Sequence, residues 1–341
     1  MDTAARRRRL PPLLGYLLRR VLAAVPVLLG VTFLCYSALT AAPGDPVRVL
    51  MGQHYDPEIA TQIRHSWGLD QPFIVQYARF VWRTAQGDLG YSYSKHTPVA
   101  AYLGDKFVHT LELSLCALLI AVVGGVGAGL ISATWPRRPI DYTVMFFAVA
   151  GISLPVFWLG MMLQLAFAGK LGWLPVSGMA FSGDLYGLWQ RCNGNYLAYW
   201  WQSSGRYFVL PSFTLATVPM AVIARLTRSA MLEVMAQDYI RTARAKGLGL
   251  GRIVFVHALR NAAIPIVTLI GTNFAALLTG AVLTETVFAW PGLGRAVVDA
   301  INEYDYPVIL GGVILMAATF VTVNLLVDLS YGLLDPRVRY G

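Results

Sequence analysis

The residues able to hold a metal or make and break bonds form no recognisable set in this 341-residue chain. His54, His65, His96, His109 and His257 contain no H-E-x-x-H pair or other ligand spacing. No G-x-x-x-x-G-K-[ST] stretch is present, so nothing here cradles nucleotide phosphates as a P-loop does. Cys35 and Cys116 fall inside apolar runs and act as small hydrophobes, and Cys192 stands alone, with no evident partner. "GGVGAG" at 124–129 mimics part of a dinucleotide fingerprint but follows no strand; Gly125-x-x-x-Gly129 reads better as close helix packing. The sequence thus identifies no catalytic and no metal residue. What it concentrates is charge: "DYIRTARAK", Asp238 to Lys246, places three strong cations in nine residues and runs into "GLGLG".

The elements that must position this stretch follow from composition. Hydrophobic residues make up 56% of the chain and charged residues 13%, about half the charged share of a soluble domain. A membrane protein is expected. Six apolar runs, near 18–42, 110–134, 143–169, 207–231, 264–290 and 308–334, are long enough to cross a bilayer as helices of about 20 residues. They are too long and too unbroken for the alternating strands of a barrel. The prolines within them, Pro26, Pro155, Pro211, Pro219 and Pro265, are tolerated where neighbouring helices satisfy the freed backbone groups. The expected fold is an all-α polytopic membrane protein with six transmembrane helices.

Orientation follows from the cations. With the N-terminus inside, the segments 1–17, 135–142, 232–263 and 335–341 and the adjoining helix ends carry 17 of the 27 Lys and Arg, including Arg6 to Arg9, Arg137, Arg138, Arg337 and Arg339. The positive-inside rule then places both termini in the cytoplasm. The net charge of +9 is read as this signal rather than as a nucleic-acid surface. The first apolar run exceeds the 7–15 residues of a signal peptide, so it is expected to remain as a span. Acids inside a membrane are functional by default. Here the three candidates, Glu112, Glu285 and Asp328, lie within a few residues of predicted helix ends, where headgroups and water are in reach. A proton-driven carrier would keep such groups deep.

The charged stretch lies on the inside, between the fourth and fifth runs. Asp238 suits an N-cap, Thr242 to Lys246 continue as helix, and Gly247 can end it in the left-handed conformation. Arg244 and Lys246 complement the negative end of the dipole. Ile240, Ala243 and Gly247 share a face, and a second short helix from Gly251 presents Ile253, Val254, His257 and Ala258 before Pro265 opens the next span. Two readings stay open on these residues: a rigid surface knob, or a basic helix lying on anionic lipid.

"DYIRTARAKGLGLGRIVFVHALRNAAIPIVT" resembles the coupling loop of permeases of bacterial ABC importers of the dipeptide/oligopeptide/nickel group. The generic E-A-A-x-x-x-G motif is matched at Ala243 and Gly247, while Arg241 and Thr242 replace its Glu and first Ala. The likeness extends to "APGDPV", "GLDQPFIVQYARF", "GDLGYSYSKHTPV", "SLPVFWLG", "ETVFAWPGLGRAVVDAI", "DYPVI" and "LLDPRVRYG", in order. The long segment between the first two spans is similar to the B-type subunit. Residues 180–206 depart from the family pattern.

The resemblance implies a type-I importer permease. Its parts are a basic tail and first span (1–42), an extracytoplasmic loop (43–109) and a transmembrane core (110–334). The core holds an outer loop (170–206) and a cytoplasmic coupling loop (232–263), and a tail (335–341) follows. It also implies a bacterial inner-membrane location, a second permease subunit in a heterodimer, two cytoplasmic ATPases and an extracytoplasmic binding protein. ATP and Mg would sit on the ATPases, with no cofactor in this chain. Asp238, Tyr239, Ile240, Arg241, Thr242, Ala243, Arg244, Ala245, Lys246 and Gly247 would dock into an ATPase groove. Tyr239, Ile240 and Ala243 would supply the apolar contact, and Gly247, Gly249 and Gly251 the tight reversal beneath it. Pro155, Pro211 and Pro219 are expected at kinks beside the pathway, with Asn273 and Asn324 either lining it or hydrogen-bonding between helices. Trp189, Tyr196, Tyr199, Trp200 and Trp201 are expected at the headgroup level or against the binding protein. Peptides are the expected cargo, with nickel chelates or glutathione as alternatives. An ion-gradient carrier and a membrane hydrolase are the competing classes, disfavoured by the lack of deep charge and of a nucleophile or metal set.

Overall fold

The computed structural model describes residues 12–41, 45–51, 55–180, 192 and 195–334. Arg6 to Arg9, Trp189, Arg337 and Arg339 lie outside them. Among the described residues, fourteen α-helices of five or more residues carry the architecture: α1 (Pro12–Ala41), α2 (Pro46–Met51), α3 (Pro57–Trp67), α4 (Phe73–Ala85), α5 (Val99–Thr134), α6 (Pro139–Ser153), α7 (Val156–Leu163), α8 (Tyr196–Trp200), α9 (Arg206–Met235), α10 (Asp238–Ala245), α11 (Leu259–Gly280), α12 (Val282–Val287), α13 (Leu293–Asn302) and α14 (Tyr306–Leu334). The described residues contain no strand, only one isolated bridge between Tyr91 and Pro98.

Among the described residues, five helical stretches are long and apolar enough to cross a membrane, and α6 with α7 and its π-helical extension to Lys170, bent by 104°, make a sixth if the pair counts as one span. Pro155 explains the bend: proline pushes the residue before it out of the helical region, and Leu154 is extended at φ −90° and ψ 134°. Pro211 and Pro219 are different. Both are buried within α9, which runs through them without a break.

The bundle is organised around α5 and α9, which share the most extensive contact in the chain. Gly125 and Gly129 make that approach possible. A Cβ at Gly125 would meet the Met220 carbonyl at 2.6 Å, and one at Gly129 the Ala224 carbonyl at 2.7 Å. The small-residue pattern is therefore a packing device, as its spacing suggests. Leu113, Ala117 and Ala121 of α5, Leu215, Ala216 and Ile223 of α9, and Leu277 of α11 form the central core with Trp290.

Several expected boundaries shift. α5 begins at Val99 rather than 110, because the run before the apolar stretch keeps helical spacing and packs Val99 and Leu103 against α13 and α14. The segment ahead of α9 is not a simple loop: α8 continues through π-helical turns at Trp201–Gly205 into α9. The fifth helical stretch begins at Leu250 and continues past Pro265 to Gly280, so Pro265 lies inside the helix instead of opening it. Residues 236–249, which carry α10, separate α9 from this helical stretch. At the far end, the chain leaves the span after Gly280 and folds α12 and α13 across the bundle.

Candidate functional site

One end of the bundle, called here the basic end, carries α10. The helix begins one residue earlier than its sequence suggests: Gln237 is the N-cap, extended at φ −70° and ψ 150° with no capping bond from its side chain, and Asp238 is the first helical residue. Asp238 instead pairs with Arg241 at 3.2 Å. Both groups are exposed, so the pair adds little stability. The C-terminus follows the expected geometry. Gly247 has φ +76°, its N–H donates to Arg244 O at 2.9 Å, and Leu248 N donates to Ala243 O at 3.3 Å, which together make a Schellman closure. Gly249, by contrast, has an ordinary φ of −65°, and a Cβ at Gly249 or Gly251 would meet open space. Of the three, only Gly247 takes a backbone conformation that favours glycine.

The apolar face of α10 is committed to this chain. Ile240 is fully buried and Ala243 nearly so, in a cluster with Ala133 of α5, Ala230 and Met231 of α9, Ile253, Val254 and Ala258 of the π-turn, and Ala262 and Ile266 of α11. The expectation that Ile240 and Ala243 enter a partner's groove is corrected by this burial: they are the base of the knob. The outward face comprises Tyr239, Arg241, Thr242, Arg244, Ala245 and Lys246, all exposed. Tyr239 is held in place, since its hydroxyl accepts from Asn261 Nδ2 at 2.9 Å while the same amide reaches His257 O at 2.7 Å. Arg252 and Arg260 are exposed on the adjoining helix.

A second charged group braces the same end. Asp141, at the start of α6, is 1% exposed and accepts from Arg228 Nε and Nη2, both at 2.8 Å, from Arg137 N at 2.9 Å, and from the Ser132 hydroxyl. It ties α5, α6 and α9 together. In the sequence Arg228 is one more cation of the inner segments and adjoining helix ends, and no motif marks Asp141. The signal available is a lone acid two residues after Pro139 in an otherwise basic connector.

At the opposite end, motifs far apart in sequence form one cap. Glu285, expected near headgroups or water, is fully buried. Its carboxylate accepts from Thr110 Oγ1 at 2.7 Å and Arg295 N at 2.9 Å, and Thr110 Oγ1 in turn accepts from Leu293 N at 2.7 Å. Trp290 Nε1 donates to His109 O at 3.0 Å. Asp305, 1% exposed, accepts from the hydroxyls of Ser92 and Ser94 and from Ser94 N at 3.1 Å, which fixes the 91–97 turn to the start of α14. Lys95 and Glu303 pair beside it at 2.8 Å, and that ammonium, with the Ser94 hydroxyl, holds the Glu303 carboxyl below the usual range. Asp328 pairs with Arg20 at the basic end.

The remaining sequence candidates are placed apart. Asn273 donates to Leu269 O at 2.8 Å and Asn324 to Phe320 O at 2.9 Å, so each of these amide bonds stays within its own helix. Tyr196, Trp200 and Trp201 are exposed on α8 and the turns that extend α9, with the Trp200 ring covering Gly205. Tyr199 is half-buried beside them.

With this geometry in hand, comparison with known proteins is specific. Residues 125–340 match the family described as "binding-protein-dependent transport system inner membrane component", and residues 13–114 match the family of its N-terminal region. The dipeptide transport system permease protein DppB of Alkalihalophilus pseudofirmus is 42% identical over 335 residues, covering 96% of this chain and all of the relative. The di/tripeptide transport system permease protein DppB of Pseudomonas aeruginosa is 43% identical over 341 residues, covering 96% of this chain and 99% of the relative. The glutathione transport system permease protein GsiC of Escherichia coli is 39% identical over 328 residues, covering 96% of this chain and all of the relative. Among solved structures, a chain of the methionine ABC transporter MetNI in inward-facing conformations aligns with TM-score 0.52 at 18% identity, over 69% of this chain and 96% of that one. That likeness establishes a shared fold.

Proposed function

The chain belongs to the binding-protein-dependent transport system inner membrane component family, and from that premise we propose that it is the permease subunit through which an ATP-driven importer passes di- or oligopeptides into the cytoplasm. It is a multi-pass protein of the bacterial inner membrane and a transport subunit of the ABC class. We place its basic end in the cytoplasm on the distribution of cations. Its partners would be a second permease, two ATPases holding ATP and Mg, and an extracytoplasmic binding protein. No covalent chemistry is assigned to this chain.

The observation that carries the coupling role is the two-faced setting of α10. A helix that only touched a lipid surface would turn its apolar side outward. Here Ile240 and Ala243 face the chain's own core, and Tyr239, Arg241, Thr242, Arg244, Ala245 and Lys246 face outward. Because the base touches α5, α9 and α11 together, a push on α10 is delivered to three spans at once. An ATPase groove would read the aromatic ring and the cations, and the buried base would carry the displacement.

The reading of peptides as cargo is supported by the relatives named for dipeptide and di/tripeptide transport. Glutathione, named for other relatives, is the second reading. Reconstitution of the complex in vesicles with its binding protein tests both. ATP-dependent uptake of labelled dipeptide, competed poorly by glutathione, is expected. Uptake of glutathione alone would replace the cargo, and uptake by this chain without ATPases would overturn the importer reading.

A further inference from the structure

Helix α4 belongs by sequence to the long segment between the first two spans, where a water-washed surface is expected. Its contacts put it elsewhere. The Tyr77 hydroxyl donates to Leu29 O at 2.8 Å and lies 3.1 Å from Thr32 Oγ1. Leu29 is twelve residues before the end of α1 at Ala41, which is about 18 Å along a helix rising 1.5 Å per residue. Half of a bilayer's hydrocarbon core is only about 15 Å. With the span taken to end with the helix at Ala41, the hydroxyl tip reaches toward the middle of the membrane, and the ring and its helix follow behind it. Phe73 and Tyr77 pack edge-on against Phe33 at 5.7 and 5.3 Å, Phe80 lies 5.7 Å from Tyr36, and Tyr36 Oη donates to Gln76 at 2.9 Å.

The other faces of α4 agree with that depth. Ile74, Val75, Ala78 and Trp82 recur at helical spacing on a face turned away from α1, and all are exposed, Ile74 and Trp82 at 67% each. In water such a face would be polar. Arg79 and Arg83 occupy a third face. They line a cavity of about 150 Å³ with Tyr36, Thr40, Trp67 and Tyr93, and Arg83 reaches Asp88 at 2.9 Å. The helix is thus divided into a side against α1, an uncovered apolar side and a cationic side toward the surface loops.

We propose that α4 is embedded in the membrane leaflet opposite the basic end, with Ile74, Val75, Ala78 and Trp82 against lipid acyl chains and Arg79 and Arg83 at the level of headgroups and water. The surface of α1 argues for lipid as the occupant: Val25, Val31 and Leu34 on the same helix are also exposed, and α4 continues that apolar surface at the same depth. The segment between the first two spans is then only partly aqueous. The inference does not depend on which cargo the importer carries.

Nitroxide labelling of the assembled complex in phospholipid vesicles tests it, in a background where Cys35, Cys116 and Cys192 are replaced by alanine. Single Ile74→Cys, Ala78→Cys and Trp82→Cys variants are compared with Glu58→Cys on the exposed, charged helix α3. Ala78→Cys keeps a readout if the two larger side chains prove necessary for folding. Collision with dissolved oxygen relative to a nickel chelate is expected to be several-fold higher at 74, 78 and 82 than at 58. Equal ratios at all four positions would place α4 in water and overturn the proposal. Low collision with both reagents at 74, 78 and 82 would mean that a protein partner covers the face, and would overturn it equally.

Discussion

Gly247 and Glu285 are the two single residues whose replacement separates backbone geometry from buried polarity. At Gly247 a Cβ would meet nothing within 4 Å, so only the left-handed φ of +76° opposes substitution. A β-branched residue there is a genuine outlier, and the left-handed conformation costs an L-residue roughly 1–2 kcal/mol. Gly247→Val is expected to assemble and yet lose the stimulation of ATP hydrolysis by loaded binding protein, while Gly247→Asn retains most of it, since Asn tolerates this conformation. Equal loss in both would point to a role for space rather than backbone. Glu285→Ala removes the acceptor for Arg295 N and Thr110 Oγ1. Each buried donor left unpaired costs about 1–3 kcal/mol, so the purified complex should melt at lower temperature. An unchanged melting temperature would show that water replaces the carboxylate.

Between elements, the Asp141–Arg228 pair and the base of α10 join the helices of the basic end. Asp141 is almost fully buried while the Arg228 side chain is 31% exposed, so the pair is screened on one side only. A double-mutant cycle with Asp141→Asn and Arg228→Gln should give a coupling energy of about 1–3 kcal/mol, below the 3–5 kcal/mol of breaking a fully buried pair. Additive effects would mean that Ser132 and Arg137 N hold Asp141 alone. For α10, Ile240→Ala should cost about 2–5 kcal/mol, as large-to-small core changes do, and lower both stability and coupled ATPase activity. Replacing Arg241, Arg244 and Lys246 together by alanine should leave thermal stability intact and weaken only ATPase association. The sequence could place α10 and its Schellman closure, because both depend on local spacing. It could not say which face looked inward, because that depends on α5, α9 and α11 arriving around it.

Across the whole molecule, the cap opposite the basic end joins segments 175 to 213 residues apart. Ser92 and Ser94 meet Asp305, and Thr110 meets Glu285. Asp305→Ala should free the 91–97 turn while leaving the α5–α9 core untouched, because that core does not use the carboxylate. Limited proteolysis should then cut between residues 91 and 97 in a complex that still binds its ATPases. Resistance equal to the parent would show that the Lys95–Glu303 pair alone secures the turn.

The sequence by itself determined that the chain is helical, that it crosses a membrane six times if α6 and α7 count as one span, and that 238–247 forms a short helix closed by glycine. These features depend on composition, apolar run length and local capping, which act within a few residues. Only the tertiary structure decided that Ile240 and Ala243 are a base rather than a docking surface, that Glu285 is buried under its own loop, and that α4 lies alongside α1. Each of those outcomes turns on which distant segment reaches a side chain first, water and lipid being the alternatives, and hydrophobic periodicity carries no record of that competition.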